Sequence, residues 1–253
     1  MKFTKKQIER YSRQIILKKV GVIGQKKLLQ SSVLIIGAGG LGSPIAIYLA
    51  ASGVGKIGIV DKDNVEASNL ARQILYSTND IDKNKASTAI KKLRKINPGL
   101  QLRSFNTKLT STNINKIAKD FDLMVDGSDN FRTRFLINDY CLINKKILIS
   151  GAISKFDGQV YTFNFTNEKS PCLKCFIPNV PIDLDIDNCE FEGVLGALAG
   201  IIGSIQANEV IKEILGIGNS LCGYILIIDS LNLTFRKVKL NKRTNCYCNE
   251  KKN

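Results

Sequence analysis

A short apolar run that ends in a cluster of glycines constrains this chain more than any other feature. Ser31-Ser32-Val33-Leu34-Ile35-Ile36 leads directly into Gly37-Ala38-Gly39-Gly40-Leu41-Gly42, and a helical pattern follows over about 40–52. An unbroken apolar run of this length reads as a strand buried on both faces, as in parallel sheets. Glycines at G-x-G-x-x-G spacing let the chain turn tightly and let backbone N–H groups approach a phosphate, while the helix N-terminus adds positive potential. A second apolar run, 56–61, ends in Asp61, nineteen residues past Gly42, where such a fold places an acid on a ribose hydroxyl. The turn predicts nucleotide binding. By itself it does not separate NAD from ATP.

The same alternation continues along the first half. Helical patterns over 83–96 and 130–144 lie between strand patterns over 101–105, 122–126 and 146–150, and Asn97-Pro98-Gly99 marks a turn. This spacing predicts an α/β fold with a Rossmann-like, doubly wound, mostly parallel sheet. A helix over 4–18 precedes it, with Arg10 and Arg13 three apart on one face. After Gly151 the pattern changes. Residues 159–165 alternate like an antiparallel strand, 170–192 is an irregular acidic loop with three prolines and three cysteines, and an apolar helix over 193–215 is followed by strands over 224–229 and 233–240. One domain over 1–253 is expected, its nucleotide-binding part spanning 1–150 and a second part 151–253, where antiparallel strands extend the sheet.

Composition removes several classes. The apolar stretch 193–215 contains Gln206, Asn208, Glu209, Lys212 and Glu213, so it reads as a buried helix and not a membrane span. The N-terminus is charged and lacks the apolar core of a signal peptide, which predicts a cytoplasmic protein with no membrane partner. Net charge is +15, read either as lysines spread over the surface or as attraction to an acidic partner. No arginine–aromatic stripe supports nucleic acid as that partner. Seven cysteines and no histidine argue against a disulfide framework, exclude imidazole acid–base chemistry, and require any zinc site to be built from thiolates.

Arg10-Tyr11-Ser12-Arg13-Gln14, the glycine turn, Asp61 and Asp63, Ser68-Asn69-Leu70-Ala71-Arg72-Gln73, Lys85, Asn97-Pro98, and Asp126 with Asp129-Asn130 follow one another in this order. The combined pattern, from about Arg10 to Cys248, resembles the MoeB/ThiF/HesA family, bacterial relatives of ubiquitin-activating enzymes. The resemblance implies adenylation of the C-terminal Gly-Gly carboxylate of a ubiquitin-like sulfur-carrier protein by ATP. Two anions must meet in that reaction, so the site needs cations and a metal. By the resemblance, Gly37, Gly39, Gly40, Gly42, Asp61, Asp63, Ser68, Leu70, Ala71, Gln73 and Asn130 bind the nucleotide. Asn69, Arg72 and Lys85 contact its phosphates, Asp129 holds Mg²⁺, and Arg13 reaches the γ-phosphate of a partner subunit in a homodimer. Read as residues alone, Lys85 could be one more solvated lysine, Arg72 a surface residue and Asp129 a helix N-cap.

Cys172-Leu173-Lys174-Cys175 is a metal-type C-x-x-C half-site, with a redox pair as the alternative. In the family a second C-x-x-C completes a Cys₄ zinc site that ties down the C-terminal tail; here the second pair is Cys246-Tyr247-Cys248, one residue shorter. Cys189 matches the family cysteine that accepts the activated carboxylate or carries sulfur, although Asp185, Asp187 and Glu190 beside it would raise its pKa. Cys141 and Cys222 read as buried core thiols. The 151–253 part is thus expected to bind carrier and zinc. The product, a thiocarboxylate, would serve molybdopterin or thiamine biosynthesis. With no rhodanese-like extension after Asn253, a separate donor (a cysteine desulfurase or rhodanese-like protein) is expected to supply the sulfur. The rivals are a tRNA threonylcarbamoyladenosine dehydratase-type member of the same superfamily, an NAD-dependent oxidoreductase, and a non-catalytic carrier-binding module.

Overall fold

The computed structural model describes residues 3–179 and 193–249. Its centre is an eight-stranded sheet in the order β3-β2-β1-β4-β5-β6-β7-β8. The strands are β1 (Ser32–Ile36), β2 (Lys56–Val60), β3 (Gln101–Phe105), β4 (Leu123–Asp126), β5 (Ile147–Ser154), β6 (Asp157–Asn164), β7 (Tyr224–Asp229) and β8 (Thr234–Lys239). From β3 to β5 all neighbours are parallel; from β5 to β8 all are antiparallel. The reason lies in the connections. Helices return the chain to the same end of the sheet in the first half, whereas Lys155 and Phe156 alone join β5 to β6.

The helices are α1 (Lys5–Ile15), α2 (Gly21–Gln30), α3 (Gly42–Ser52), α4 (Lys85–Ile96), α5 (Ile114–Ala118), α6 (Phe131–Ile143), α7 (Leu173–Phe176) and α8 (Gly196–Leu215). Helix α1 starts from a capping box between Thr4 and Gln7 and stops at Ile15, three residues short of the expected end. Helix α2 was not evident from the sequence. Its two glycines, Gly21 and Gly24, weaken the helical pattern, and burial of Gly24, Gln25 and Leu28 against neighbouring helices is what sustains it. Helix α8 ends at Gly216, whose left-handed backbone lets its N–H bond back to Lys212 O at 2.8 Å.

The sheet separates two apolar clusters. One joins Leu28, Ile35, Leu49, Ile57, Ile59, Val125, Leu198 and Ile202 under α3, α4 and α8. The other joins Leu34, Phe121, Met124, Phe135, Cys141, Tyr161 and Phe163 and runs to the four cysteines Cys172, Cys175, Cys246 and Cys248. Close packing across the first cluster depends on small residues: a Cβ on Gly203 would stand 2.7 Å from Leu41 O, so α8 could not lie this close to α3 with any larger residue there. None of the helices described is long and apolar enough to cross a membrane.

Candidate functional site

The parallel strand order reverses between β1 and β4, and open α/β sheets form their ligand crevice at the strands' carboxyl ends at such a point. The glycine turn lies there. Gly37 has φ +88°, and a Cβ on it would meet Gly127 O at 2.7 Å. Gly42 opens α3 with its backbone against Gly37 O, which a Cβ would approach to 2.0 Å. These two glycines therefore allow the turn to fold on itself and against the β4 turn.

Asp61 braces the turn. Its Oδ2 accepts from Ala38 N at 2.7 Å and its Oδ1 from Asp63 N at 2.9 Å. Each oxygen retains a lone pair for a further donor. Burial raises the carboxyl above its ordinary range, while the two N–H groups and the Lys85 charge pull it back. The Tyr76 hydroxyl reaches Ala38 O at 2.9 Å and Lys85 O at 3.1 Å, linking the glycine turn to the start of α4.

Lys85 is the first residue of α4, behind the N-cap Asn84, whose Oδ1 accepts from Ser87 N. Its backbone N–H donates to Asp63 O at 2.8 Å. The residue is only 8 % exposed, and its ammonium makes no ion pair among the described residues. This is not the environment of a solvated surface lysine. Arg72 donates from Nη1 to Ser68 O at 3.3 Å and lays its stem beside Gly40. Gln73 is buried and its Oε1 has no partner among the described residues. Across the crevice, Asn130 caps α6 by accepting from Thr133 N at 2.9 Å. The cap is Asn130, so the neighbouring Asp129 carboxylate stays exposed, accepting among the described residues only from Asn130 Nδ2 at 3.2 Å.

Together these groups line one cleft that is open to solvent. Of the residues singled out in the sequence, Gly37, Gly39, Gly40, Asp61, Asp63, Arg72, Gln73, Lys85, Asp129 and Asn130 line it. Gly42 lies behind it. Ser68, Asn69, Leu70 and Ala71 form the short turn that presents Arg72 and Gln73 and do not line the cleft; the Asn69 amide bonds within that turn, accepting from Glu66 N and donating one N–H to Ser68 Oγ. Arg13 is exposed on α1, away from this cleft. Cys189 and the 180–192 part of the acidic loop lie outside the described residues. Arg134, Lys62 and Lys108 also line the cleft and were not singled out from the sequence. Arg134 stands only five residues past Asp129, and the positive charge of the whole chain hid it.

The second constellation is the cysteine cluster. Cys172, Cys175, Cys246 and Cys248 bring their four sulfurs within 4.8 Å of one another. Sγ separations are 3.9 Å for Cys172–Cys175, 3.6 Å for Cys172–Cys246 and 3.6 Å for Cys175–Cys248. Four thiolates about 2.3 Å from a tetrahedral zinc sit about 3.8 Å apart, so the donor set fits such an ion. The shorter C-x-C pair brings both of its sulfurs into the cluster. Burial pushes the Cys172 thiol far up and the Cys248 thiol up to about 12, a cost that a divalent cation reverses by holding thiolates. Of the remaining cysteines, Cys141 is fully buried, with its thiol pushed up by burial, and Cys222 is half-buried beside Ser170 Oγ.

A curated relative, the sulfur carrier protein adenylyltransferase of Thermus thermophilus, is 43 % identical over 97 % of this chain and 92 % of its own length. The adenylyltransferase and sulfurtransferase MOCS3 of Aedes aegypti is 44 % identical over 97 % of this chain, which spans just over half, 56 %, of that longer protein. Among solved structures, E. coli MccB with AMPCPP and MccA superposes with a TM-score of 0.83 at 25 % identity, covering 94 % of this chain and 73 % of that one. The model of the ThiF family matches residues 11–249, and the chain belongs to the ThiF family.

Proposed function

We propose that this protein is an ATP-dependent adenylyltransferase that activates the C-terminal Gly-Gly carboxylate of a ubiquitin-like sulfur-carrier protein. The observation that carries the reading is the convergence of buried Lys85, Arg72 and the uncommitted Asp129 carboxylate on one cleft beside the glycine turn. An oxidoreductase has no use for this combination, whereas a reaction between a carboxylate and a phosphate needs it. The identity to a sulfur carrier protein adenylyltransferase supports the same substrate class.

In this reading Asp61 accepts the ribose hydroxyls and the turn's N–H groups meet the phosphates. Lys85 and Arg72 neutralise the triphosphate as the carrier carboxylate attacks the α-phosphorus and pyrophosphate leaves. Asp129 fits a Mg²⁺ site of the kind that pairs one carboxylate with substrate phosphates; when bound, the ion supplies further charge neutralisation. Arg13, facing outward on α1, would act on the cleft of a partner subunit in a homodimer. The four cysteines would hold Zn²⁺ and tie the tail to α7, a structural role. A separate cysteine desulfurase or rhodanese-like protein would then convert the adenylate into a thiocarboxylate for molybdopterin or thiamine biosynthesis, with Cys189 available as an acyl or sulfur carrier. A cytoplasmic setting suits the six described cysteines, all of which are free.

The test is ATP–pyrophosphate exchange with purified Gly-Gly carriers. Exchange that depends on both carrier and magnesium is expected. A protein that binds MgATP yet exchanges no label with any such carrier would refute the proposal.

A further inference from the structure

The cleft holds a cation that the phosphate-binding groups leave unexplained. Arg134 stands in the first turn of α6, where the helix dipole is positive and where no acidic residue offsets it. An arginine there is unfavourable for the helix by itself. Its Nη2 donates to Ser128 O at 2.7 Å, which fixes the guanidinium over the β4 turn. It makes no ion pair among the described residues, and with five N–H donors it has capacity left for an anion. Arg72 and Lys85 lie by the glycine turn and Asp61. Arg134 lies on the opposite bank of the β1–β4 crevice, and its charge reaches Tyr161 on β6. The apolar side chains of Ile153 and Val194 also line the cleft and thin out the water that would screen it.

We propose that Arg134 binds the C-terminal carboxylate of the incoming protein substrate and aims it at the α-phosphorus. The inference rests on the adenylation reading and extends it to one residue. The entering oxygen and the departing pyrophosphate lie roughly in line, so the two anions arrive from opposite sides of the phosphorus. Arg72 and Lys85 are set for the triphosphate and Arg134 for the acyl group. A planar guanidinium matches a carboxylate through two parallel N–H bonds, which gives direction as well as charge.

The experiment compares a Gly-Gly carrier with its C-terminal amide, each titrated onto protein loaded with Mg²⁺ and a non-hydrolysable ATP analogue. The parent should prefer the acid by about tenfold or more, the scale of a charge-assisted hydrogen-bonded pair. Arg134→Ala should erase this preference while holding ATP affinity within about threefold of the parent. Should that variant fold poorly, Arg134→Lys keeps the charge without the fork, and a partial loss of acid preference at unchanged ATP affinity gives the same support. An acid preference undiminished from the parent in either variant overturns the inference, as does a loss confined to ATP affinity. A parent that prefers the acid but shows no pyrophosphate exchange sinks the adenylation reading and leaves Arg134 as a carboxylate ligand. Binding of neither form sinks both.

Discussion

Around the glycine turn, ionisable side chains are held apart with bonding capacity to spare; at Cys172, four thiols are pressed together and none is left over. Among the described residues Lys85 is buried without an ion pair, Asp129 keeps its carboxylate open, and Gln73 Oε1 is unpartnered. The buried ammonium and the buried amide oxygen each cost stability in the absence of a ligand, which is the expected mark of a site preorganised for a charged reactant. The cysteine cluster does the reverse. Its sulfurs gather within 4.8 Å of one another and join the second apolar cluster, so an ion there would cross-link chain segments about 70 residues apart in sequence. One region sets unsatisfied groups against a reactant, the other satisfies them to hold the fold, and changes in the two should have separable consequences.

The largest effect that would break this contrast is expected at Lys85. Lys85→Ala should lower pyrophosphate exchange by about a hundredfold or more, the scale of a lost electrostatic donor, with metal content unchanged. Retention of parental exchange would remove Lys85 from the chemistry. Asp129→Asn should lower exchange by roughly tenfold and raise the magnesium concentration needed for half-maximal rate; an unaltered magnesium dependence would count against its assigned role. Cys246→Ser should sharpen the comparison from the other side. Zinc measured by plasma mass spectrometry should be lost and Tm should fall by about 5 °C, while exchange at low temperature stays within about threefold. If exchange collapsed while Tm held, the cluster would belong to the reaction.

The smallest effect concerns Asp80, outside both regions. Burial would raise its carboxyl, but Lys92, at 2.5 Å, and Ser77 hold it down to about 2. Because the folded value lies below the ordinary 3.8, this contribution is complete above that pH and fades as pH falls towards 2. Lys92→Met should cost about 1 kcal/mol at neutral pH after solvent screening, and the difference from the parent should close on acidification, as followed by urea melts. A gap that widened in acid would reverse the assigned sign.

Much of the cleft was legible in the sequence. Gly37 and Gly42 announced a turn because their spacing between a strand and a helix has few other uses. Asp61 followed from its place at the end of the second strand and Arg72, Lys85 and Asp129 from the resemblance, and the structure brings all four to one cleft. The irregular region over 170–179 proved to contain a short helix, α7, positioned by its cysteines and by Leu173 N donating to Asn138 Oδ1 at 2.9 Å, a contact with no local sequence signal. Arg134 and Lys108 escaped notice because a lysine-rich chain offers many cations of equal prominence, and only the fold says which of them face inward.

By itself, the sequence determined whatever depends on neighbours along the chain: the phosphate turn, the parallel half of the sheet, and the C-x-x-C half-site. Backbone hydrogen bonding, glycine freedom and hydrophobic period act over a few residues, so short stretches encode them fully. Tertiary structure alone decided that Cys246 and Cys248 close on Cys172 and Cys175, that Asn130 and not Asp129 caps α6, and that Arg134 faces the cleft. Those outcomes depend on packing between segments far apart in sequence, where the closing free energy comes from burial shared by the whole domain and is carried by no single motif.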